Sequence, residues 1–318
     1  MDVHLAMPLA RLRFFLLLIL AFAAVHADFR PAEDLPDTWE NIHPALTFNS
    51  HVSNLSAEAG KIDVVWGSSH PYQPPGVYNM YYYPFEREYT TSNFTFWNST
   101  HPDWIEYQCD RVTPAYTFGD TNMPLDIANP AVLDYMFTTY LSPAIWRGYE
   151  GIAFDNVALY SYGKRCGHYN LSGSWVAQYS GNNTDPAYMA DVMLWAANMT
   201  ERIHAINGTA TMNFEFLYAS GAENTLSYQL LGLMDMQFDE RGMTNWGHSG
   251  DNYMTDDLWM QVMQEYQYMA EHDKGLVICN EEPENFSAIS REEVQWILAN
   301  YLLAKGNHTY IYITGPPG

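Results

Sequence analysis

Acidic side chains close successive apolar runs in the second half of the sequence. The runs end at Asp155, Glu215, Glu240 and Glu281. A buried carboxylate is costly unless a hydrogen bond or an opposite charge compensates it, so charged residues are rare in such runs. Any one of these acids could pair with a basic side chain, but 14 Lys+Arg against 37 Asp+Glu are too few for the whole set. Two carboxyl groups facing one cleft could cleave a glycosidic bond, one as proton donor and the other as nucleophile or base.

Further polar and aromatic residues lie near the ends of the same runs or of earlier ones. Aromatic rings are abundant, with 10 Trp, 24 Tyr and 15 Phe, and sugar rings stack on such faces, although many of these rings must fill the core. The residues that we predict to bind substrate are Trp66, His70, Tyr82, Asp126, Asn156, Asn213, Glu215 and Glu281.

Other chemistries find little support in the sequence. It contains no H-E-x-x-H motif, no G-x-S-x-G elbow and no P-loop, and we expect neither a metal site nor a cofactor. The formal net charge of −23 argues against binding to nucleic acid or to anionic membranes. The expected partner is therefore a carbohydrate.

The apolar runs alternate with helical stretches, which predicts a parallel α/β sheet. Near-continuous apolar runs are typical of strands buried on both faces. Eight runs favour a (β/α)8 TIM barrel, and an open doubly wound sheet is the alternative. The predicted strands lie in 61–69, 77–85, 104–109, 150–157, 209–216, 234–241, 275–282 and 308–315, and the main helices in 130–147, 185–206, 256–273 and 290–305. The sequence ends at Gly318, before a helix that would follow the eighth strand, so we expect a truncated sequence.

The first 27 residues have the pattern of a cleavable secretory signal. Arg11 and Arg13 precede an apolar run over 14–25, and Val25-His26-Ala27 resembles a cleavage site. An uncleaved N-terminal anchor is the alternative. We expect a lead-in segment over 28–60, a barrel over 61–318 and a secreted, extracellular protein without a membrane segment after cleavage. Sequons for N-glycosylation fit this expectation, at Asn54, Asn93, Asn98, Asn170, Asn182, Asn198, Asn207, Asn285 and Asn307.

Three cysteines remain, which leaves at least one of them unpaired within the chain. Their wide spacing excludes a zinc ribbon or a disulfide scaffold. A bridge between Cys109 and Cys166 is the pairing that we favour. Buried free thiols that pack as small apolar groups are the alternative.

Two segments resemble known families. Residues 124–160, "PLDIANPAVLDYMFTTYLSPAIWRGYEGIAFDNVALY", resemble the signature of barrel glycosidases related to endo-α-1,4-polygalactosaminidases, glycoside hydrolase family 114. Residues 101–120, "HPDWIEYQCDRVTPAYTFGD", resemble the barrel family called hypothetical glycosyl hydrolase 15.

The resemblance implies a retaining glycoside hydrolase with Asp155 as nucleophile and Glu240 as acid/base. It also implies that Asp126 and Asn156 line the sugar subsite. Glu215 is a rival for the acid. The loop over 158–184 departs from the family pattern. A non-catalytic carbohydrate-binding barrel remains the alternative function, and calcium binding through rim carboxylates is a third.

Overall fold

The computed structural model describes most of the chain after the signal-like segment. The described residues are 35–36, 40–48, 60–71, 76–88, 93–117, 122–214, 222–244, 254, 256–281 and 290–314.

Eight parallel strands form one sheet that closes on itself. Neighbouring strands pair in chain order from first to last, which confirms the predicted barrel. Closure joins the first strand to the eighth, since Pro44 bridges Ile311 in parallel and the amide of Ile311 donates to the His43 carbonyl at 3.0 Å. The strands are β1 (Ala45–Thr47), β2 (Val64–Ser68), β3 (Tyr78–Pro84), β4 (Gly151–Val157), β5 (Thr209–Phe214), β6 (Met236–Asp239), β7 (Gly275–Glu281) and β8 (Thr309–Thr314).

One predicted strand is wrong, and another was missed. The run at 104–109 does not enter the barrel: Pro102–Trp104 form a 3₁₀ helix, and only Tyr107–Gln108 pair with another strand. An apolar run indicates burial but does not by itself identify a strand. Trp104 packs in the core without joining the sheet. The count of eight is completed by β1, so the barrel begins within the segment 28–60 that we expected to be a lead-in.

The helices lie largely where the sequence predicts them. Asn129 and Asp185 cap their helices, and Ser290 forms the predicted capping box with Glu293. The helices are α1 (Phe94–Thr100), α2 (Pro130–Met136), α3 (Ser142–Trp146), α4 (Pro186–His204), α5 (Ala222–Leu233), α6 (Asp256–Glu271) and α7 (Arg291–Ala304), with a π-helix at Phe137–Leu141 that joins α2 to α3. The sequence analysis did not predict α1 or α5.

Side chains alternate between the two faces of the barrel wall, as strand geometry requires. Those that point inward form a compact cluster in which the rings of Trp66 and Phe238 stack at 4.1 Å, with Phe48 edge-on to both. Those that point outward pack against the helices in a second and larger cluster. Inward-pointing side chains at the carboxyl ends of the strands therefore meet at one mouth of the barrel.

A small antiparallel sheet is attached beside the carboxyl ends of β3 and β4. It joins Tyr107–Gln108 to Arg165–Tyr169 and Trp175–Ala177, so the loop over 158–184 is partly folded into strands. A disulfide between Cys109 and Cys166, with Cα atoms 5.1 Å apart, fastens two of these segments and confirms the favoured pairing. Cys279 is a buried free thiol.

Most of the described sequons are on the surface. The asparagines at 93, 98, 182, 207 and 307 are exposed, whereas Asn170 and Asn198 are half-buried. Asn54 and Asn285 lie outside the described residues. Over the ranges given above, no helix combines the length and the apolar character needed to cross a membrane.

A buried ionic cluster joins β6 to α6. Arg241, whose side chain is 4% exposed, lies 3.3 Å from Asp239 and 3.4 Å from Glu265. The Tyr266 hydroxyl also donates to Asp239. Burial raises the pKa of Glu265, and the charge of Arg241 opposes that shift. Removing the arginine would leave two carboxylates buried without a cation.

Arg241→Met is therefore expected to lower the free energy of unfolding by about 3–5 kcal/mol. Urea denaturation at neutral pH measures this. The control is Arg202→Met, because the Arg202–Asp134 ion pair is largely exposed and such pairs contribute about 0–1 kcal/mol. Equal losses in the two variants would contradict the assignment of Arg241 as the compensating charge.

Candidate active site

Asp155 lies at the carboxyl end of β4 and is held by donors on both oxygens. Its Oδ1 accepts from the Asn156 main-chain amide at 2.9 Å and from Asn213 Nδ2 at 2.9 Å. Its Oδ2 accepts from the Tyr82 hydroxyl at 2.8 Å and from Asn156 Nδ2 at 2.8 Å. The side chain is only 6% exposed. Because every partner donates, this environment suits an ionised carboxylate.

Asn156 adopts a left-handed conformation with φ of 59°. Asparagine tolerates this region better than most residues. The conformation lets its main-chain and side-chain nitrogens both donate to Asp155. Asn156 therefore positions the carboxylate, although its prediction as a substrate ligand is not tested.

The side-chain amide of Asn213 connects the two predicted catalytic acids. Asn213 Nδ2 donates to Asp155 Oδ1 at 2.9 Å and to Glu240 Oε2 at 2.7 Å. These two lengths add up to 5.6 Å, so the two carboxylate oxygens lie no more than about 5.6 Å apart. The structure thus brings together Asp155, near the carboxyl end of β4, and Glu240, directly after β6.

The two acidic residues at the end of β6 have different surroundings. Glu240 faces the barrel mouth and Asn213, whereas Asp239 accepts hydrogen bonds from Tyr266 and Arg241 on the helix side. This follows from the alternation of successive side chains across a strand. Glu240 is half-buried and Asp239 is buried.

Aromatic side chains form the wall beside the carboxylates. Tyr82 and Phe48 are half-buried, with ring centroids 6.0 Å apart. Gly67 lies against both rings, because a Cβ there would come within 3.4 Å of each. Burial, and then the charge of Asp155, raise the pKa of Tyr82, so the phenol remains a donor at ordinary pH.

Comparison with solved structures finds glycoside hydrolases. An α-galactosidase from Thermus thermophilus, in complex with p-nitrophenyl α-D-galactopyranoside, matches at a TM-score of 0.49 and 14% identity, over 88% of this chain and 60% of its own. A family 36 α-galactosidase from Geobacillus stearothermophilus, in complex with stachyose, matches at 0.42 and 13%, over 87% and 40%. A family 5 glycoside hydrolase from Prevotella bryantii matches at 0.29 and 11%, over 57% and 52%.

The chain spans less than two thirds of the length of each of these proteins. At these scores the likeness does not assign a reaction to this chain. No family model matches it, and no curated protein matches it. The resemblance to glycoside hydrolase family 114 and to hypothetical glycosyl hydrolase 15 therefore stays a prediction.

Trp66 and His70, both predicted to bind substrate, have different surroundings. Trp66 is fully buried, stacked on Phe238, and its indole nitrogen donates to Thr211 at 3.0 Å, so it packs the barrel interior and offers no ring face. The prediction for Trp66 is therefore corrected, because a position near the end of a strand does not ensure that a side chain reaches the mouth. His70 is exposed and its carbonyl accepts a hydrogen bond from Asn79, and its prediction as a substrate ligand is not tested.

Asp126 is buried beside the attached sheet. The residue is 2% exposed. Its carboxylate accepts hydrogen bonds from the main-chain amide of Ala128 and from Gln178 Nε2, each at 2.9 Å. It also lies 3.3 Å from His168 Nδ1, on the side of the attached sheet. Its prediction as a sugar ligand is not tested. Glu215 lies outside the described residues, as does the side chain of Glu281.

Two residues near the carboxylates were missed by sequence reasoning. Phe48 has a φ of 46°, an uncommon conformation for a bulky residue. Arg87 is buried just after β3. Its charge lowers the pKa of Tyr82, but burial and the charge of Asp155 raise that pKa by more. Arg87 could have been suspected as a charge just after an apolar run, but no sequence signal marks Phe48.

Asn213→Asp tests whether the bridging amide stabilises the site. The change replaces the shared donor by a third carboxylate, and we expect the free energy of unfolding to fall by about 3 kcal/mol at pH 7. The new acid should have a folded-state pKa above its unfolded value near 3.9. Its penalty is therefore present at neutral pH and shrinks as the pH falls towards 4, where a protonated carboxyl can donate again.

The matched control is Gln295→Glu, the same amide-to-acid change at an exposed helical position. We expect this control to change stability by no more than about 0.5 kcal/mol. Denaturation of both variants between pH 4 and pH 7 gives the comparison. A penalty in Asn213→Asp that is small, or that grows towards low pH, would mean that the amide does not bridge the two acids.

Proposed function

We propose that this chain is a secreted, retaining glycoside hydrolase that acts on an oligosaccharide or polysaccharide. Asp155 is the proposed nucleophile and Glu240 the proposed acid/base. The observation that supports this most is the Asn213 amide, which donates to both carboxylates and limits their separation. Retaining enzymes have carboxyl groups about 5–5.5 Å apart, and inverting enzymes about 6.5–9.5 Å. The bound of about 5.6 Å holds for one pair of carboxylate oxygens and is compatible with retention.

The proposed reaction takes two steps. In the first, an oxygen of Asp155 bonds to the anomeric carbon as the glycosidic C–O bond breaks, and Glu240 transfers its proton to the departing oxygen. In the second, Glu240 takes a proton from water, whose oxygen displaces Asp155 from the anomeric carbon. The net change is hydrolysis of one bond with no external oxidant or reductant.

The neighbouring side chains fit these roles. Tyr82 and Asn156 donate to Asp155 and would hold it in line with the anomeric carbon. Repulsion between two carboxylates that share one amide favours a proton on one of them. Asp155 has four donors around it, so we assign that proton to Glu240. The rings of Tyr82 and Phe48 would contact the apolar face of a sugar.

Secretion is part of the proposal. The Cys109–Cys166 disulfide is typical of an oxidising compartment, and rare in the cytosol. The exposed sequons are compatible with glycans at the surface. Cleavage after the signal-like segment, near Ala27, is the corresponding expectation for the N-terminus of the mature protein.

The substrate should be sought by screening the recombinant mature chain against a glycan panel that includes galactosaminoglycan. On any substrate found, Asp155→Ala is expected to reduce kcat by at least about a thousandfold, because the covalent step is lost. Azide should restore turnover and yield a glycosyl azide of inverted anomeric configuration, since the small anion attacks directly. Proton NMR of the product identifies the anomer.

Glu240→Ala separates the second role from the first. With a substrate whose leaving group needs no proton, this variant should still form the glycosyl–enzyme, and azide should then give a product of retained configuration. Asp257→Asn, at an exposed helical position, is the control and should keep wild-type activity. Full activity in Asp155→Ala would overturn the assignment.

Glycan binding without product release, unchanged in Asp155→Ala, would instead identify a carbohydrate-binding barrel. Inverted product from the wild-type protein would refute retention while leaving hydrolysis intact. If Glu240→Ala is fully active and Glu215→Gln is not, the acid role passes to Glu215.

A further inference from the structure

Three side chains from distant parts of the chain converge beside the attached sheet. Glu106 precedes the short strand Tyr107–Gln108, Asp126 precedes α2, and His168 lies in the strand Arg165–Tyr169. One potential ligand atom from each lies within 4.8 Å of the others. The proposed reaction does not use these three residues.

Glu106 is the unusual member of this group. Its side chain is 0% exposed, and neither carboxylate oxygen has a hydrogen-bond partner within the described part of the chain. The buried guanidinium of Arg165 makes its ion pair with Glu86 at 3.0 Å, and its charge also acts on Glu106 without a hydrogen bond between the two side chains. A buried carboxylate beside a second carboxylate and an imidazole, with no hydrogen-bond donor among the described residues, favours a bound cation.

The other two members are already held in place. Asp126 Oδ1 accepts from the Ala128 amide at 2.9 Å, and its Oδ2 accepts from Gln178 Nε2 at 2.9 Å. His168 Nδ1 lies 3.3 Å from Asp126 Oδ2 and 3.0 Å from Gln178 Oε1. The Cys109–Cys166 disulfide fixes the backbone next to Glu106 and His168. Pre-positioned donors of this kind are typical of metal ligands and their supports.

The spacing also fits a small ion. Ligand atoms at about 2.0–2.1 Å from a common ion lie roughly 2.9–3.4 Å from one another in octahedral or tetrahedral geometry. The 3.3 Å between His168 Nδ1 and Asp126 Oδ2 falls in that range, and Glu106 offers an oxygen within 4.8 Å of a ligand atom of each of the other two residues.

We propose that Glu106, Asp126 and His168 bind one divalent transition-metal cation of the Zn²⁺ or Mn²⁺ class. Imidazole nitrogen favours transition metals, and the two carboxylates suit zinc and manganese. Calcium would require six to eight oxygen ligands, more than this group offers. The ion would cross-link the segment at Glu106, the loop before α2 and the attached sheet.

The sequence analysis expected no metal because the ligands lack a motif. Asp126 is twenty residues from Glu106, and His168 is forty-two residues from Asp126. Such separations match no ligand spacing that can be recognised in a sequence. The fold alone brings the three together, and among the described residues Glu106 has no hydrogen-bond donor.

Metal analysis of the purified full mature chain tests the proposal. After incubation with Zn²⁺ or Mn²⁺ and removal of free ion, mass spectrometry should find about one ion per chain. Removing the ion with a chelator should lower Tm by several degrees, and adding back Zn²⁺ or Mn²⁺ should restore it. A folded wild-type chain that retains no ion and shows no shift in Tm with either metal would overturn the proposal. A response to Ca²⁺ alone would contradict the metal class.

Glu106→Gln is the matched variant, because it keeps the shape and removes the charge. It should lose the bound ion and the metal-dependent shift in Tm. Asp191→Asn is the control, since Asp191 is a neighbouring part-buried carboxyl group that bonds Tyr179 and lies outside the ligand group. It should keep about one ion per chain. If Glu106→Gln binds the ion as wild type does, Glu106 is not a ligand and the proposal fails.

Discussion

A single side-chain amide holds the two central carboxylates in one place. Asn213 Nδ2 donates to Asp155 and to Glu240, so one amide group compensates part of the repulsion between the two acids. Asp155 needs this donor and its three others because it is almost fully buried. The hydrogen bonds that place the two acids together for hydrolysis therefore also compensate the burial of Asp155.

The barrel provides this geometry through strand alternation. Side chains at the ends of β3, β4, β5 and β6 that point inward meet at one mouth, whereas their immediate neighbours point to the helices. Asp239 and Glu240 show the effect within two residues, since one joins the ionic cluster with Arg241 and the other joins Asn213. A shift of one residue in register would exchange these surroundings and leave the site without its second acid.

Sequence reasoning predicted what depends on local pattern. Apolar runs and caps gave seven of the barrel strands and four of the helical stretches, and acids at strand ends led to Asp155 and Glu240. Sequence reasoning was wrong where contacts between residues distant in sequence determine the position of a side chain or strand. The run at 104–109 is buried without being a barrel strand, and Trp66 fills the interior instead of lining a cleft. The grouping of Glu106, Asp126 and His168 has no sequence signature at all.

The most direct measurement is the distance between Asp155 Oδ1 and Glu240 Oε2 in a crystal structure of the mature chain. The account predicts at most about 5.6 Å, with the Asn213 amide donating to both oxygens. A separation beyond about 6.5 Å, or a Glu240 side chain turned away from Asn213, would contradict it.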